Sequence, residues 1–399
     1  MKLTVCGAGN SGKAIAGDAA LAGYDVTLYE MPEFYKAIEP IVDTKMINIT
    51  GRQTNYKNIK REGVAKLTQV TSDIQKAIKG ADVICVAVQA IGYEKLFKEM
   101  IPHLEDGQIV LNTPDNYGSC ILRRVMRGMK CNKRIIVAGS SSIPYGARVS
   151  SNSSVNQVCM LYRQTMQTMD TFPSSDWDLF WDKMKNFEPY VAADIKHGDT
   201  MLDVNFDNCN PVIHVPAVLF NAGAIDNWGI IEDVGSKAVY YNVYRHGLSH
   251  SVATIQYAFY QEMLALAKAL DISVKEVNKD FFFSRFSLVG PLIMGENYEP
   301  LPLTENLPDW HRMEFPLGDR FSTHNRYITE DVPVGCRVFY ELSKLTDIKL
   351  PLIESLINIS GIVVGKDYFK EGFDLDFLGF KDLGKEEILN YLRGGNSEK

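Results

Sequence analysis

Nowhere does the chain hold an apolar run for the ~20 residues that a bilayer-crossing helix requires, so no membrane span is expected. Its basic residues gather into no patch. The net charge is −7 and the pI about 5.6. Nucleic acid and anionic membranes are therefore excluded as main partners, because both demand clustered Lys and Arg. The locally basic stretch from Lys57 to Lys66 reads as a solvated loop. No two of the seven cysteines (Cys6, Cys85, Cys120, Cys131, Cys159, Cys209 and Cys336) form C-x-x-C, and this scatter suits a reducing cytoplasm. The seven histidines lack metal-ligand spacing; His246 and His250 stand i, i+4 but bring no carboxylate motif, so no metal site is expected. Internal repeats and low-complexity segments are absent. The first residues already read as a strand, so no signal peptide is expected.

What is present is most informative at the start. The first thirty residues are MKLTVCGAGNSGKAIAGDAALAGYDVTLYE. An apolar strand, Leu3 to Cys6, runs into Gly7-Ala8-Gly9-Asn10-Ser11-Gly12. A helix follows, Gly23 ends it, and a second strand from Asp25 to Tyr29 stops at Glu30. Each part has a task in holding a dinucleotide. Gly7 allows the tight turn, Gly9 lets the backbone approach a pyrophosphate, and Gly12 lets helix and strand pack closely. The helix N-terminus offers N–H groups and partial positive charge to the phosphates. Glu30 lies eighteen residues past Gly12, near the spacing of roughly 20 for an acid on a ribose 2′-hydroxyl. A carboxylate there repels a 2′-phosphate, so NAD (NADH) is favoured over NADP, with Lys13 and Lys36 as nearby cations that blunt the preference.

At 399 residues the chain is too long for one ordinary core. Through the first half, strands and helices alternate. Ala81 to Ala87 is a continuous apolar run, as in a parallel strand covered on both faces. Helices are expected from Ile74 (capped by Ser72), Tyr93 and Ser119, and strands at Gln108–Asn112 and Arg134–Gly139. From about Met201 helical periodicity dominates, including Pro216–Gly223, Val239–Tyr244, Ser251–Leu270, Val274–Phe281, Val338–Leu345 and Pro351–Val363. Residues 295–325 form a long polar loop. The expected fold class is α/β plus all-α: a Rossmann-type doubly wound parallel sheet over 1–198, then a mainly helical domain over 199–399.

Two segments of the second domain stand out. In Asn210-Pro-Val-Ile-His214-Val-Pro-Ala-Val-Leu-Phe-Asn221-Ala-Gly223, His214 lies among apolar residues just before Pro216, where a helix could start. From position alone it reads equally as a satisfied core histidine. In His324-Asn-Arg326-Tyr-Ile-Thr-Glu330-Asp331-Val-Pro333, Asp331 suits an N-cap and Arg326 an ordinary surface charge.

The order of four motifs changes this weighting. The glycine turn, Ile143-Pro144-Tyr145-Gly146-Ala147-Arg148, the Asn210…His214…Asn221-Ala-Gly223 segment and Arg326-Tyr-Ile-Thr-Glu-Asp331-Val-Pro, with Gly365-Lys-Asp-Tyr368 and Glu371-Gly372 behind them, cover nearly the whole chain. In this the chain resembles the opine dehydrogenases, the octopine/nopaline dehydrogenase family. The resemblance implies a Rossmann domain, a helical domain, and substrate held in the cleft. It implies NADH-dependent reductive condensation of an amino acid's amine with an α-keto acid, giving a secondary amine dicarboxylate. His214 and Asp331 would be the catalytic pair, and Arg326, with Asn221, would bind substrate. Ser11, Lys13 and Ser140–Ser142 depart from the family's pattern, and the two organic substrates stay open. The assembly stays open too, with a homodimer as a candidate.

The chemistry fits those roles. Hydride delivered to an imine carbon builds electron density on nitrogen, which a neighbouring imidazolium can protonate. A carboxylate on the other ring nitrogen fixes the tautomer. Arginine's planar fork matches a substrate carboxylate. A carbonyl-reducing 2-hydroxy-acid, ketopantoate or glycerol-phosphate type dehydrogenase shares the two-domain plan, and its lysine has no motif-placed counterpart here. A non-catalytic NAD-binding sensor is the remaining alternative.

Overall fold

The computed structural model describes residues 1–51, 59–149, 156–187, 190, 193–228, 241, 243–274, 276–283 and 321–394. Most of the loop expected at 295–325 lies outside these residues, as do parts of 57–66, 239–244 and 274–281. The chain divides into one compact unit of Met1–Asn205 with Glu386–Lys399 and a second of Phe206–Lys385.

The first unit is built on an eight-stranded sheet. Its strands are β1 (Lys2–Cys6), β2 (Asp25–Tyr29), β5 (Gln69–Thr71), β6 (Val83–Val86), β7 (Ile109–Asn112), β8 (Ile136–Ser140), β11 (Met166–Thr171) and β12 (Asp194–His197), in the order β12-β11-β8-β7-β6-β1-β2-β5. The six from β8 to β5 are all parallel. Renumbered in chain order, they run 3-2-1-4-5-6 from β5 across to β8, the order that places a dinucleotide at the switch point beside the first strand. β6 and β7 are buried along their whole length, as parallel strands covered on both faces must be.

A second sheet, not foreseen in this form, joins β3 (Met46–Gly51), β4 (Gly63–Lys66), β9 (Tyr145–Val149) and β10 (Gln157–Arg163) in the order β4-β3-β10-β9. It covers the outer side of helix α1 (Asn10–Leu21), which contacts β3, β4 and β9. α1 is therefore enclosed on both sides, and Gly12 to Ala19 are all buried without interruption. That explains its small residues. A Cβ at Gly17 would stand 2.4 Å from the Ile49 side chain, so the helix approaches the second sheet only as glycine.

One charged cluster pins this sandwich. Asp18 of α1 is 2% exposed. It accepts from Arg61 Nε at 2.7 Å and Nη2 at 3.0 Å and from the Tyr145 hydroxyl of β9.

Local chemistry amends several expectations. Asp73, not Ser72, caps the helix Ile74–Ile78, its Oδ1 accepting from Lys76 N at 3.1 Å. The division between units falls after Asn205 rather than after residue 198. The helix Met201–Phe206 is held to the first unit by Asn205, whose Oδ1 accepts from Tyr117 N at 2.8 Å and whose Nδ2 donates to Asp115 at 2.8 Å. Residues 386–399 group with the first unit as well. There Tyr391 packs on Phe172 with ring centroids 5.0 Å apart.

The second unit is helical, as expected. Its main helices are Asn210–Leu219, His250–Ala269, Arg337–Ser343 and Pro351–Val364. Gln256 donates to Ile213 O at 2.8 Å, linking the first two. Glu262 receives Leu352 N at 2.9 Å and Ile353 N at 3.0 Å, so one helix supplies the anion for another's positive end. Among the described residues no helix is long and apolar enough to cross a membrane.

Asp18→Ala should lower stability by about 3–5 kcal/mol, the range for breaking a buried charge pair. Tyr145→Phe should cost about 1 kcal/mol, one hydrogen bond. Equal urea midpoints for the Asp18 variant and the wild type would refute the cluster's structural role.

Candidate active site

In the first unit the glycine turn separates two physical tasks. Gly7 has φ +104°, and a Cβ there would lie 2.7 Å from Ala87 O. A Cβ at Gly12 would lie 1.7 Å from Gly7 O, inside the backbone itself. These two glycines are required by the fold. Gly9 differs, since a Cβ there would meet nothing within 4 Å. It is the N-cap of α1 and brings no side chain to its first-turn N–H groups. An open backbone at a helix N-terminus suits a phosphate group.

The acid at the end of β2 closes this cradle. Glu30 is 6% exposed. Its Oε2 accepts from Ala8 N at 2.6 Å and its Oε1 from Met31 N at 2.9 Å. Burial raises its pKa, while the two backbone N–H groups and Lys13 pull it back. Lys13 is itself buried, and burial pushes its ammonium down to about 8 against the opposing pull of Glu30. Asn10 is tied elsewhere, its Oδ1 accepting from Val149 N at 2.8 Å. Glu30 is thus tied through Ala8 to the Gly7–Gly12 turn, in which Gly9 and Asn10 are the exposed residues.

In the second unit the helix carrying His214 begins at Asn210, not at Pro216. Pro211 occupies its first turn and Pro216 lies inside it. Asp331 opens a wide π-helical turn over Asp331–Cys336 that contains Pro333. Proline supplies no N–H and crowds the preceding turn, and a widened turn accommodates both. Gly335 of this turn lies so near Pro211 that a Cβ would be 2.3 Å from its ring. That close approach brings the turn onto the His214 helix.

The result is a buried pair. His214 Nδ1 lies 2.7 Å from Asp331 Oδ2, with side chains 6% and 8% exposed. On the other side, His214 Nε2 lies 2.7 Å from the Tyr244 hydroxyl. The Tyr327 ring stacks on the imidazole, centroids 3.7 Å apart and planes at 13°. Arg326 precedes Tyr327 on the short helix Arg326–Thr329, which Asn325 caps. Its Nε lies 3.2 Å from the buried Glu330, and its side chain is 44% exposed, so one edge of the guanidinium is anchored near solvent. Asn221 has a backbone task, its Nδ2 donating to Ala217 O at 2.9 Å and Gly247 O at 3.0 Å. Sequence reasoning missed both tyrosines. Tyr327 stood inside the quoted motif, whereas Tyr244 ended the expected helix Val239–Tyr244, with no motif to mark it. Among the described residues no group of His, Cys, Asp and Glu could hold a metal ion.

A dinucleotide cradle in one unit and a buried His–Asp pair in a helical unit define a two-domain dehydrogenase, and comparison with known proteins agrees. Residues 2–129 match the family model of the N-terminus of NAD-dependent glycerol-3-phosphate dehydrogenase. Residues 197–364 match that of the alpha-helical domain of NAD/NADP octopine/nopaline dehydrogenase. An opine dehydrogenase of Arthrobacter sp. is 24% identical, with 95% of each chain covered. An octopine dehydrogenase of Mizuhopecten yessoensis is 24% identical over 93% of this chain and 92% of that one. An octopine dehydrogenase structure with NADH and pyruvate superposes with a TM-score of 0.67 at 19% identity, covering 100% of this chain and 99% of that one. Over nearly its whole length the chain is thus similar to the opine dehydrogenases, and residues 197–364 match the helical domain of the octopine/nopaline dehydrogenases.

The glycines give a paired test. Gly9→Ala should fold like the wild type yet bind NADH at least roughly tenfold more weakly, because the methyl group fills the pyrophosphate's approach. Gly12→Ala should fail to fold stably. Circular dichroism and NADH fluorescence titration distinguish the two, and wild-type NADH affinity in Gly9→Ala would contradict the assignment.

Proposed function

We propose that this chain catalyses the NADH-dependent reductive condensation of an amino acid with an α-keto acid through an imine, forming a secondary amine dicarboxylate. The observation that carries this reading is the buried His214–Asp331 pair, one short helix away from the partly exposed side chain of Arg326. Relatives named opine, octopine and tauropine dehydrogenases align along almost their full length, which supports it.

The residues then divide the work. Gly7 to Gly12 hold the pyrophosphate on backbone N–H groups, and Glu30 accepts from a ribose hydroxyl. When bound, NADH supplies the hydride. Arg326 clamps a substrate carboxylate through the edge of its guanidinium that Glu330 does not hold. His214 is the source of the proton that the reacting nitrogen takes up, and Asp331 keeps the imidazole in register by accepting from Nδ1. With all seven cysteines free, the reading includes a reducing cytoplasm.

The decisive experiment is an NADH-oxidation screen of pyruvate, 2-oxoglutarate and glyoxylate against the common amino acids. Turnover should require both partners. Oxidation with keto acid alone, unaffected by any amine, would favour a carbonyl reductase. In the active pair, His214→Ala should lose roughly 10²–10⁴-fold in kcat and keep its NADH affinity. Asp331→Asn should lose less. Arg326→Ala should cut kcat/KM for an organic substrate by roughly ten- to several-hundred-fold, as loss of a charge-assisted carboxylate contact does. Arg326→Lys should recover only part of it.

Cofactor choice is a separate test. NADH should be preferred over NADPH, and Glu30→Arg should move the ratio of kcat/KM values toward NADPH. A wild-type preference for NADPH would overturn the role given to Glu30.

A further inference from the structure

We infer that Tyr244 is the group that hands the proton to the substrate, with His214 and Asp331 behind it. The inference rests on the proposed reaction. Its structural basis is the accessibility of the imidazole. His214 is 5% exposed. Nδ1 is taken by Asp331 at 2.7 Å, Nε2 by the Tyr244 hydroxyl at 2.7 Å, and one ring face is covered by Tyr327 at 3.7 Å. The Tyr244 hydroxyl is thus the group that meets Nε2, the ring nitrogen that Asp331 leaves for proton transfer. Tyr244 itself is only partly buried, on the short helix Val243–His246.

The hydrogen bonds allow one consistent proton path. With Asp331 accepting from Nδ1–H, a neutral imidazole accepts the Tyr244 hydroxyl proton at Nε2. A protonated imidazole donates from Nε2 to the phenolic oxygen, which turns the phenol's own proton away from the imidazole. Reduction of the imine then balances. The hydride and its two electrons, drawn from NADH, form the new C–H bond. The C=N π pair forms the N–H bond with the proton leaving the Tyr244 oxygen. The proton on His214 Nε2 restores the hydroxyl, and neutral imidazole remains. Tyr244 is thus a catalytic residue and Tyr327 a positioning residue that fixes the ring plane.

The test is Tyr244→Phe in the full chain, with the amino acid and keto acid pair identified by the screen. kcat should fall by roughly 10²–10⁴-fold, the share of a general acid. KM values, NADH affinity by fluorescence and thermal unfolding should stay unchanged. In H₂O/D₂O mixtures the wild-type rate should show two protons in flight and the variant should not. The ¹⁵N resonance of His214 Nε2, read without substrate, should move in the variant. Wild-type kcat in Tyr244→Phe, beside an inactive His214→Ala, would overturn the relay and leave the proposed reaction standing. A lower KM with kcat kept would also overturn it, marking the hydroxyl as a stand-in for substrate. If no substrate pair turns over in the wild type, the reaction itself fails. An unmoved Nε2 resonance would then remove the relay too, and a shifted one would support the contact.

Discussion

A carboxylate buried against an imidazole is the constraint around which the helical unit is arranged. An unpaired Asp331 would be costly in that environment, so its partner has to arrive with hydrogen-bond geometry. The two residues lie 117 positions apart. What brings them together is backbone shape: a turn widened at Pro333, a glycine at 335 that lets it sit on Pro211, and a helix that begins early enough to offer His214 on that side. The pair's geometry follows from packing that an ordinary α-helical turn at Asp331 would not give. Wide turns of this kind recur at functional sites because they re-aim side chains without ending the helix.

The first unit solves a different problem. α1 presents an N-terminus without a side-chain cap while being gripped from both sides. The parallel sheet holds one side through the Gly7–Gly12 approach, and the second sheet holds the other through Gly17 and the Asp18 cluster. Rigid support of a helix end keeps its N–H groups converging on one point, which is what anion binding there needs.

How much of this was legible depended on the distance over which the signal acts. The glycine turn, Glu30 and the buried parallel strands are written in contiguous residues whose spacing carries its own geometry, so they read directly. The second sheet did not read. β3 and β10 pair across more than a hundred positions, so no local periodicity announces the partnership. His214 and Asp331 were both visible as residues, but the bond between them depends on Pro333 and Gly335, which look like ordinary helix breakers in the sequence. Pro216 misled for the same reason. It marks a helix start far more often than a helix interior, and here the neighbouring packing overrides that tendency.

The segment from 386 onward groups with the first unit although the whole helical unit precedes it in the chain. In topological terms the helical unit is an insertion, and the dinucleotide unit is discontinuous. A ribosome must therefore complete the helical unit before Tyr391, on the helix Lys385–Arg393, can reach Phe172. No single cut in the chain separates the two units intact. A genetic permutation that moved residues 386–394 ahead of Met1 would make the first unit contiguous and let it be studied alone.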